Sequence, residues 1–380
     1  MSFKKLKLPS YLLDALAAMN YEKPYPIQTE VIPAVRKKQD VLGIAKTGSG
    51  KTLSYVLPIL RNLEGVTKLK NRHINTLVLV PTRELAIQVE EVFRSFEKYV
   101  PYPFRSMAVY GGVSINPQMQ KLNNINVLVA TPGRLLELYE KNAVNFSSVS
   151  TLVLDEADKM LNLGFKEEMD QILGKLPFMR QNLLFSATLS PDINTIQAGL
   201  LKDPVVVDLG QEEQDITLIK QLAYQVTPER KGPLLRHLII EKNIRQVLIF
   251  TSSTHQADVV ADKLFKNGIT ARAIHSKKGQ GNRKKSLQMF KDGELTALVA
   301  TDLLARGVDI DALPYVINYE LPRSPKDFIH RIGRTGRAEQ TGEAYTFITE
   351  EDEHHFKVIQ KKMKKQVETV DAATIDLQGY

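Results

Sequence analysis

The sequence predicts an α/β protein of two tandem domains, each a mainly parallel sheet covered by helices on both faces. Three observations lead there. Short, nearly continuous apolar runs recur along the chain, the pattern of strands buried on both faces. Segments with apolar residues at helical spacing separate them, and regular alternation of strand and helix marks crossover units. A length of 380 residues leaves room for two such cores at about 150 residues each.

In the first half the strand candidates are residues 41–44, 76–80, 127–129, 151–154 and 183–185. Residues 82–96 form a predicted helix, with Leu85, Val89 and Phe93 on one face. After the run 204–207 the chain turns polar over 209–216, which reads as a linker and closes a first domain at 1–208. The second half repeats the style with strands at 247–250, 271–274, 297–300, 315–317 and 344–348, a second domain over 217–365. A charged helix from about residue 350 carries Lys361, Lys362, Lys364 and Lys365, and 366–380 reads as a polar tail.

Composition narrows the class. With 43% hydrophobic and 25% charged residues and a mean hydropathy of -0.20, the chain is globular and neither disordered nor fibrous. It contains no cysteine, which excludes disulfides, thiolate zinc and iron–sulfur clusters, leaves a metal only oxygen or histidine ligands, and suits a reducing, cytoplasmic setting. Lys+Arg outnumber Asp+Glu by 51 to 43, a net charge of +8 that favours polyanionic partners. No run approaches the roughly 20 apolar residues that span a bilayer. The start, MSFKKLKLPS, is basic, but Asp14 interrupts the apolar segment that follows, so no export signal is expected.

The segment Ala45-Lys46-Thr47-Gly48-Ser49-Gly50-Lys51-Thr52 lies between a strand and a helical pattern, the context of a phosphate-binding loop. Gly48 and Gly50 let backbone N–H groups turn inward, the helix N-terminus adds its positive end, Lys51 reaches the β/γ-phosphates and Thr52 would ligate Mg²⁺. The strict pattern asks for glycine where this chain has Ala45. Asp155 and Glu156 end the strand 151–154; Asp155 is the metal-side candidate and Glu156 the residue to orient attacking water. An acidic pair in that position also serves as a helix cap, and its pairing with the phosphate loop favours catalysis.

Residues Asp155-Glu156-Ala157-Asp158 then point to a family: the chain resembles the DEAD-box ATP-dependent RNA helicases of superfamily 2. The resemblance runs from Phe3 to about residue 350, through Pro81-Thr-Arg-Glu-Leu-Ala86, Gly111-Gly112, Thr131-Pro-Gly-Arg134, Ser186-Ala-Thr188, Thr301-Asp302, Arg306-Gly-Val-Asp309 and His330 to Arg337. The segment 109–119 is similar to the bacterial RhlE-type branch. The family implies two RecA-like domains, ATP and Mg²⁺ as cofactors, and RNA as partner. It also implies a monomeric chain without membrane association, with ribosomal or RNA-decay assemblies as further partners.

By resemblance, the adenine is read by residues 20–28 with Phe3 stacking on the base, so that Phe3, Tyr21, Lys23 and Gln28 join Lys46, Thr47, Gly48, Ser49, Gly50, Lys51 and Thr52 at the nucleotide. A Gln amide that donates and accepts at once suits adenine. Asn20 replaces the family's usual glycine in a turn where Asn also takes left-handed angles. Asp309 would meet the ribose, and Arg334 and Arg337 would act as arginine fingers from the second domain. Asp158, Ser186, Thr188 and His330 would couple the ATP site to the domain interface. RNA would be met by Pro81, Thr82, Arg83, Gly111, Gly112, Thr131, Gly133 and Arg134, and from the second domain by Thr251, Ser252, Gln280, Arg283, Thr301 and Arg306. Such groups read phosphate and 2′-hydroxyl rather than base, so binding should ignore sequence.

The expected activity is RNA-stimulated ATP hydrolysis coupled to cleft closure, RNA bending and local, nonprocessive unwinding of short duplexes. An ATP-gated RNA clamp or annealer is the alternative. A DNA translocase fits the spelling of residues 155–158 and 186–188 less well, and a small-molecule kinase would need neither Gln28 nor the arginines of a second domain.

Overall fold

The computed structural model describes residues 2–45, 48–66, 70–209, 219–302, 313–336 and 342–380. The chain divides into two compact units, Met1–Gln211 and Glu212–Tyr380. Most of the expected linker, together with Lys46, Thr47, Arg306, Asp309 and Arg337, lies outside the described residues, as does the side chain of Gln280.

Unit 1 holds seven described strands: β1 (Val41–Ile44), β2 (Thr76–Leu79), β3 (Ser106–Val109), β4 (Val127–Ala130), β5 (Thr151–Leu154), β6 (Gln181–Ser186) and β7 (Val205–Asp208). They run β3-β4-β2-β5-β6-β1-β7, each pair parallel. Strand residues alternate between two cores. Val41, Val78, Val129, Val153 and Leu183 pack on one face, while Leu42, Leu79, Leu128, Leu154 and Leu184 pack on the other. Both faces are buried, which is why these strands read as unbroken apolar runs. The predicted helix at 82–96 forms as Arg83–Ser95, capped by Thr82, whose hydroxyl accepts from the Leu85 amide at 3.2 Å; Leu85, Val89 and Phe93 are its buried face.

Unit 2 repeats the plan with β8 (Ile219–Gln225), β9 (Val247–Thr251), β10 (Ala271–Ile274), β11 (Ala297–Thr301), β12 (Tyr315–Asn318), β13 (Gly342–Ile348) and β14 (Glu368–Asp371) in the order β10-β11-β9-β12-β13-β8-β14, all pairs parallel. The first three strands of this order correspond in place to β3-β4-β2. The sequence reading missed β3, β8 and β14, and 366–380 is corrected from a tail to part of the unit. There β14 pairs with β8, Ala372 is fully buried, and the Arg230 guanidinium donates to the Ala372 and Ile375 carbonyls at 2.9 and 2.8 Å. The segment looks polar because an edge strand shows its side chains to solvent.

One buried ion pair organises unit 2. Arg331, 2% exposed, grips Asp302 with two parallel bonds (Nε to Oδ1 2.6 Å, Nη2 to Oδ2 2.8 Å) and donates to the Glu320 carbonyl at 2.6 Å. Its guanidinium lies over the Phe250 ring, 4.9 Å from the centroid. The ends of β9, β11 and β12 are thereby tied to the helix Pro325–Ile332. Replacing Arg331 by Ala should cost about 1.5–3 kcal/mol, because the partly exposed Asp302 and the Glu320 carbonyl would lose a charged hydrogen-bond partner. Urea unfolding of unit 2 monitored by tyrosine fluorescence measures the loss; a change below about 1 kcal/mol would contradict this account.

Candidate nucleotide and nucleic-acid site

Sheet order assembles the site. With β5, β6 and β1 side by side, the segments leaving their C-terminal ends converge, namely residues 45 and 48–52, 155–158 and 186–188. The Ala45 amide donates to the Ser186 carbonyl at 3.0 Å, continuing the ladder beyond the strands. Crevices at the carboxyl ends of such strands are where open α/β sheets take ligands.

Gly48 and Gly50 both adopt left-handed angles, φ 85° and 84°, a conformation glycine holds without penalty. Ala45 is buried in the core at 2% exposure, so a methyl is accommodated where the strict pattern has glycine. Lys51 opens the helix Lys51–Leu63 and is 6% exposed. Its ammonium donates to the Ala45 carbonyl at 2.7 Å, folded back beneath the loop. Asp155, 2% exposed, accepts from the Tyr55 hydroxyl at Oδ2, 2.9 Å away, while Oδ1 is buried with no hydrogen-bond partner among the described residues. Burial pushes the Asp155 carboxyl above the usual range; the Lys51 ammonium opposes this and the Glu156 carboxylate adds to it. Burial likewise holds the Tyr55 phenol well above its ordinary value, reinforced by Asp155.

Glu156, 5% exposed, sits at φ 54°, ψ 46°, left-handed for a residue with a Cβ, and caps the helix Ala157–Asn162. Such backbone costs about 1–3 kcal/mol and persists where surroundings enforce it. One enforcing contact is the ion pair of Glu156 with Lys159, Oε1 to Nζ 2.7 Å. Next to it, Thr188 donates from Oγ1 to Asp158 Oδ2 at 3.1 Å, and the Ser186 hydroxyl donates to the Thr188 carbonyl at 2.8 Å. Three of the four residues expected to couple sites are thus in one hydrogen-bonded chain. His330, the fourth, lies in unit 2 on the helix Pro325–Ile332.

Magnesium fits these groups. An orphaned buried carboxylate oxygen on Asp155, with Thr52 on the facing first turn of the helix, supplies hard oxygen donors. No cluster of three or more His, Asp or Glu capable of holding a metal occurs among the described residues. An ion at this place would complete its shell with phosphate oxygens and water, as magnesium does.

On the base-reading side, Asn20 is left-handed at φ 60°, as its turn requires. Gln28, 1% exposed, donates from Nε2 to the Gly50 carbonyl at 3.0 Å and accepts from the Tyr25 amide at 2.9 Å. Its amide therefore braces the phosphate loop, a use the sequence reading did not foresee. A Cβ on Gly50 would stand 2.6 Å from Gln28 Nε2. Phe3, at 5% exposure, packs in the unit 1 core. Tyr21 and Lys23 are exposed.

The other half of the sheet edge, β3-β4-β2, gathers Pro81 to Arg83, Gly111, Gly112 and Thr131 to Arg134. Gly112 has φ 75°, and an added Cβ would collide with the Arg83 guanidinium. Arg134, 6% exposed, donates to the Val113 carbonyl at 2.7 Å and pairs with Glu137 at 2.8 Å. Gln118, which the sequence reading passed over, holds both backbone groups of Tyr110, accepting from N at 3.0 Å and donating to O at 3.1 Å. Arg83, Arg134 and Gln118 together fix the 110–113 loop. Gly133 lies in the first turn of the helix Pro132–Glu140, and Thr131 is 7% exposed.

In unit 2 the ends of β9, β10 and β11 present the corresponding positions. Thr251 is fully buried and donates to the Ser253 carbonyl at 3.2 Å, supporting the turn. Ser252 is exposed but held by Glu320, whose Oε2 accepts from its amide at 2.7 Å and its hydroxyl at 2.8 Å. Thr301 is 8% and Arg283 4% exposed, the latter on the helix Gln280–Lys291. Arg334 is 6% exposed, and its carbonyl accepts from the Leu313 amide at 3.0 Å.

Comparison with known proteins agrees with this geometry. Residues 25–196 match the DEAD/DEAH box helicase family and residues 230–339 the helicase conserved C-terminal domain. The ATP-dependent RNA helicase CshA of Listeria monocytogenes is 35% identical over 377 residues, 98% of this chain and 71% of that protein. The DEAD-box ATP-dependent RNA helicase CshA of Bacillus subtilis is also 35% identical, over 99% of this chain and 75% of its own. Among solved structures, Saccharomyces cerevisiae Dbp5 bound to RNA and ADP BeF3 matches with a TM-score of 0.83 and 28% identity, covering 97% of this chain and 95% of that one. A DEAD box protein from the hyperthermophile Methanococcus jannaschii matches at 0.54 with 33% identity, covering 97% and 99%. Two domain matches in order, and identity spread over nearly the whole length, establish that the chain belongs to the DEAD-box helicase family.

Proposed function

We propose that this protein is an ATP-dependent RNA helicase that hydrolyses ATP when RNA is bound and opens short duplexes locally, without translocation. The observation that carries the reading is the convergence of Lys51, Asp155 and Glu156, all nearly buried, at the ends of β1 and β5 on either side of β6. Lys51 would leave the Ala45 carbonyl for the β/γ-phosphates. Glu156 would leave Lys159 to orient the attacking water, since hydrolysis here is mainly positioning and charge stabilisation. Mg²⁺ held by Thr52 and Asp155 would neutralise phosphate charge. The segment from Lys46 to Gly50 would cradle the phosphates, with Gln28 bracing Gly50 and with Tyr21 and Lys23 on the base side.

Arg334 and Arg337 from unit 2 are proposed as the arginine fingers, and Asp309 as the ribose contact. A finger of this kind can raise the rate by about 10³–10⁵, so hydrolysis would switch on when the units close. Asp158, Ser186, Thr188 and His330 would report that closure. RNA would lie along Pro81 to Arg83, Gly111, Gly112, Gly133 and Arg134 in unit 1 and along Ser252, Gln280, Arg283, Thr301 and Arg306 in unit 2. Stacking averages about 1.4 kcal/mol per base-pair step in duplex DNA. Forcing a few pairs apart therefore needs several kcal/mol, which tighter binding by the closed form would supply. The chain is proposed to act as a cytoplasmic monomer, with ribosomal or RNA-decay assemblies as its setting. Among the described residues no helix is long and apolar enough to cross a membrane.

ATP turnover with and without single-stranded RNA tests the function. Stimulation by RNA and release of a short strand are expected; equal turnover without any nucleic acid would refute the proposal. Slow turnover with long-lived ATP-dependent RNA binding and no strand release would favour a clamp instead. Lys51→Ala should abolish turnover by removing the phosphate counter-charge, and unchanged hydrolysis would exclude the phosphate loop. Glu156→Gln should keep ATP-dependent RNA binding in a filter assay while hydrolysis falls at least about a hundredfold, on the scale of lost positioned acid–base groups; normal hydrolysis would take Glu156 out of its role.

A further inference from the structure

Tyr55 is fully buried in the helix Lys51–Leu63, three residues after Thr52, and no step described above uses it. Its ring packs against Phe185 of β6, centroids 5.4 Å apart, so the side chain has no freedom to turn away. The hydroxyl donates to Asp155 Oδ2 at 2.9 Å.

The consequence is directional. Asp155 commits Oδ2 to Tyr55, and the remaining Oδ1 is buried with no hydrogen-bond partner among the described residues. One hydroxyl thus sets the orientation of a carboxylate 100 positions away in the sequence.

We propose that Tyr55 is a positioning residue for the divalent cation of the nucleotide site, holding the Asp155 carboxylate by Oδ2 so that Oδ1 is a preformed ligand. This rests on the reading of Thr52 and Asp155 as the metal side of an ATP site. The partner of a metal ligand fixes the ligand's direction, and losing such a partner typically weakens metal binding by about 10–100-fold. Tyr55→Phe deletes the hydroxyl and keeps the ring against Phe185. The Asp155 carboxylate then becomes free to rotate.

The test measures metal binding directly. In the full chain saturated with ADP, Mn²⁺ binding is followed by loss of the free-ion EPR signal, and ADP binding without metal is followed with a fluorescent ADP analogue. For Tyr55→Phe the expected result is an Mn²⁺ dissociation constant raised about tenfold, with metal-free ADP affinity unchanged within about twofold. In turnover assays the Mg²⁺ concentration for half-maximal rate should rise, with the maximal rate at saturating Mg²⁺ largely retained. Equal Mn²⁺ affinity in Tyr55→Phe and wild type would overturn the proposal while leaving the metal site itself standing. Loss of ADP affinity in the absence of metal would also overturn it, since Tyr55 would then support the pocket in general. If wild-type protein with ADP binds no Mn²⁺, the reading of Thr52 and Asp155 fails, and this inference fails with it.

Discussion

The constraint on which the catalytic end of unit 1 depends is a carboxylate kept in a nearly dry place. Asp155 is 2% exposed and has one oxygen without a hydrogen-bond partner among the described residues. Burying a charge is unfavourable unless other groups compensate it. The Lys51 ammonium and the Tyr55 hydroxyl do so in part. An apolar residue at the end of β5 would remove the penalty altogether. The local arrangement gives up stability for an oxygen that only a ligand can satisfy, as functional sites do. Glu156, beside it, adds left-handed backbone to the same account of strain.

Sheet topology makes this constraint useful. The order β3-β4-β2-β5-β6-β1-β7 divides the carboxyl edge into two neighbouring halves. Strands β5, β6 and β1 carry the phosphate-loop and acidic segments, while β3, β4 and β2 carry the glycines and arginines suited to a phosphodiester strand. The halves meet at β2 and β5, where the Asp155 amide donates to the Leu79 carbonyl at 2.9 Å. Pro81 thus follows, by two residues, a group bonded directly to the metal-side carboxylate residue. Unit 2 builds its own edge on the same plan, with Arg331 and Asp302 pinning the ends of its central strands.

Much of this was legible in the chain. Strands with both faces buried, such as residues 151–154, announce themselves by unbroken apolar runs, and the turn chemistry of Gly48 and Gly50 follows from their identity. What escaped did so for physical reasons. Strands β8 and β14, Ile219–Gln225 and Glu368–Asp371, carry polar side chains because they lie at or beside a sheet edge, and β3 is a four-residue edge strand only partly buried. Phe3 and Thr251 have the right residue types for their expected roles, yet folding buries both. Gln28 carries the right amide, but its hydrogen bonds go to the Gly50 and Tyr25 backbone.

Two residues whose roles the motifs did not state, Tyr55 and Arg331, act through partners far away in sequence. Tyr55 reaches Asp155 across 100 positions, and Arg331 reaches Asp302 across 29. A motif records side chains that touch a ligand, because those must keep their chemistry. The residues that aim them need only shape and one hydrogen bond, which several side chains can supply. Such positions are specified by packing, here by Phe185 against Tyr55 and Phe250 against Arg331. The ligand-touching groups can therefore be read from the chain, whereas the groups that hold them in direction emerge only when the sheet has brought β1, β5 and β6 together.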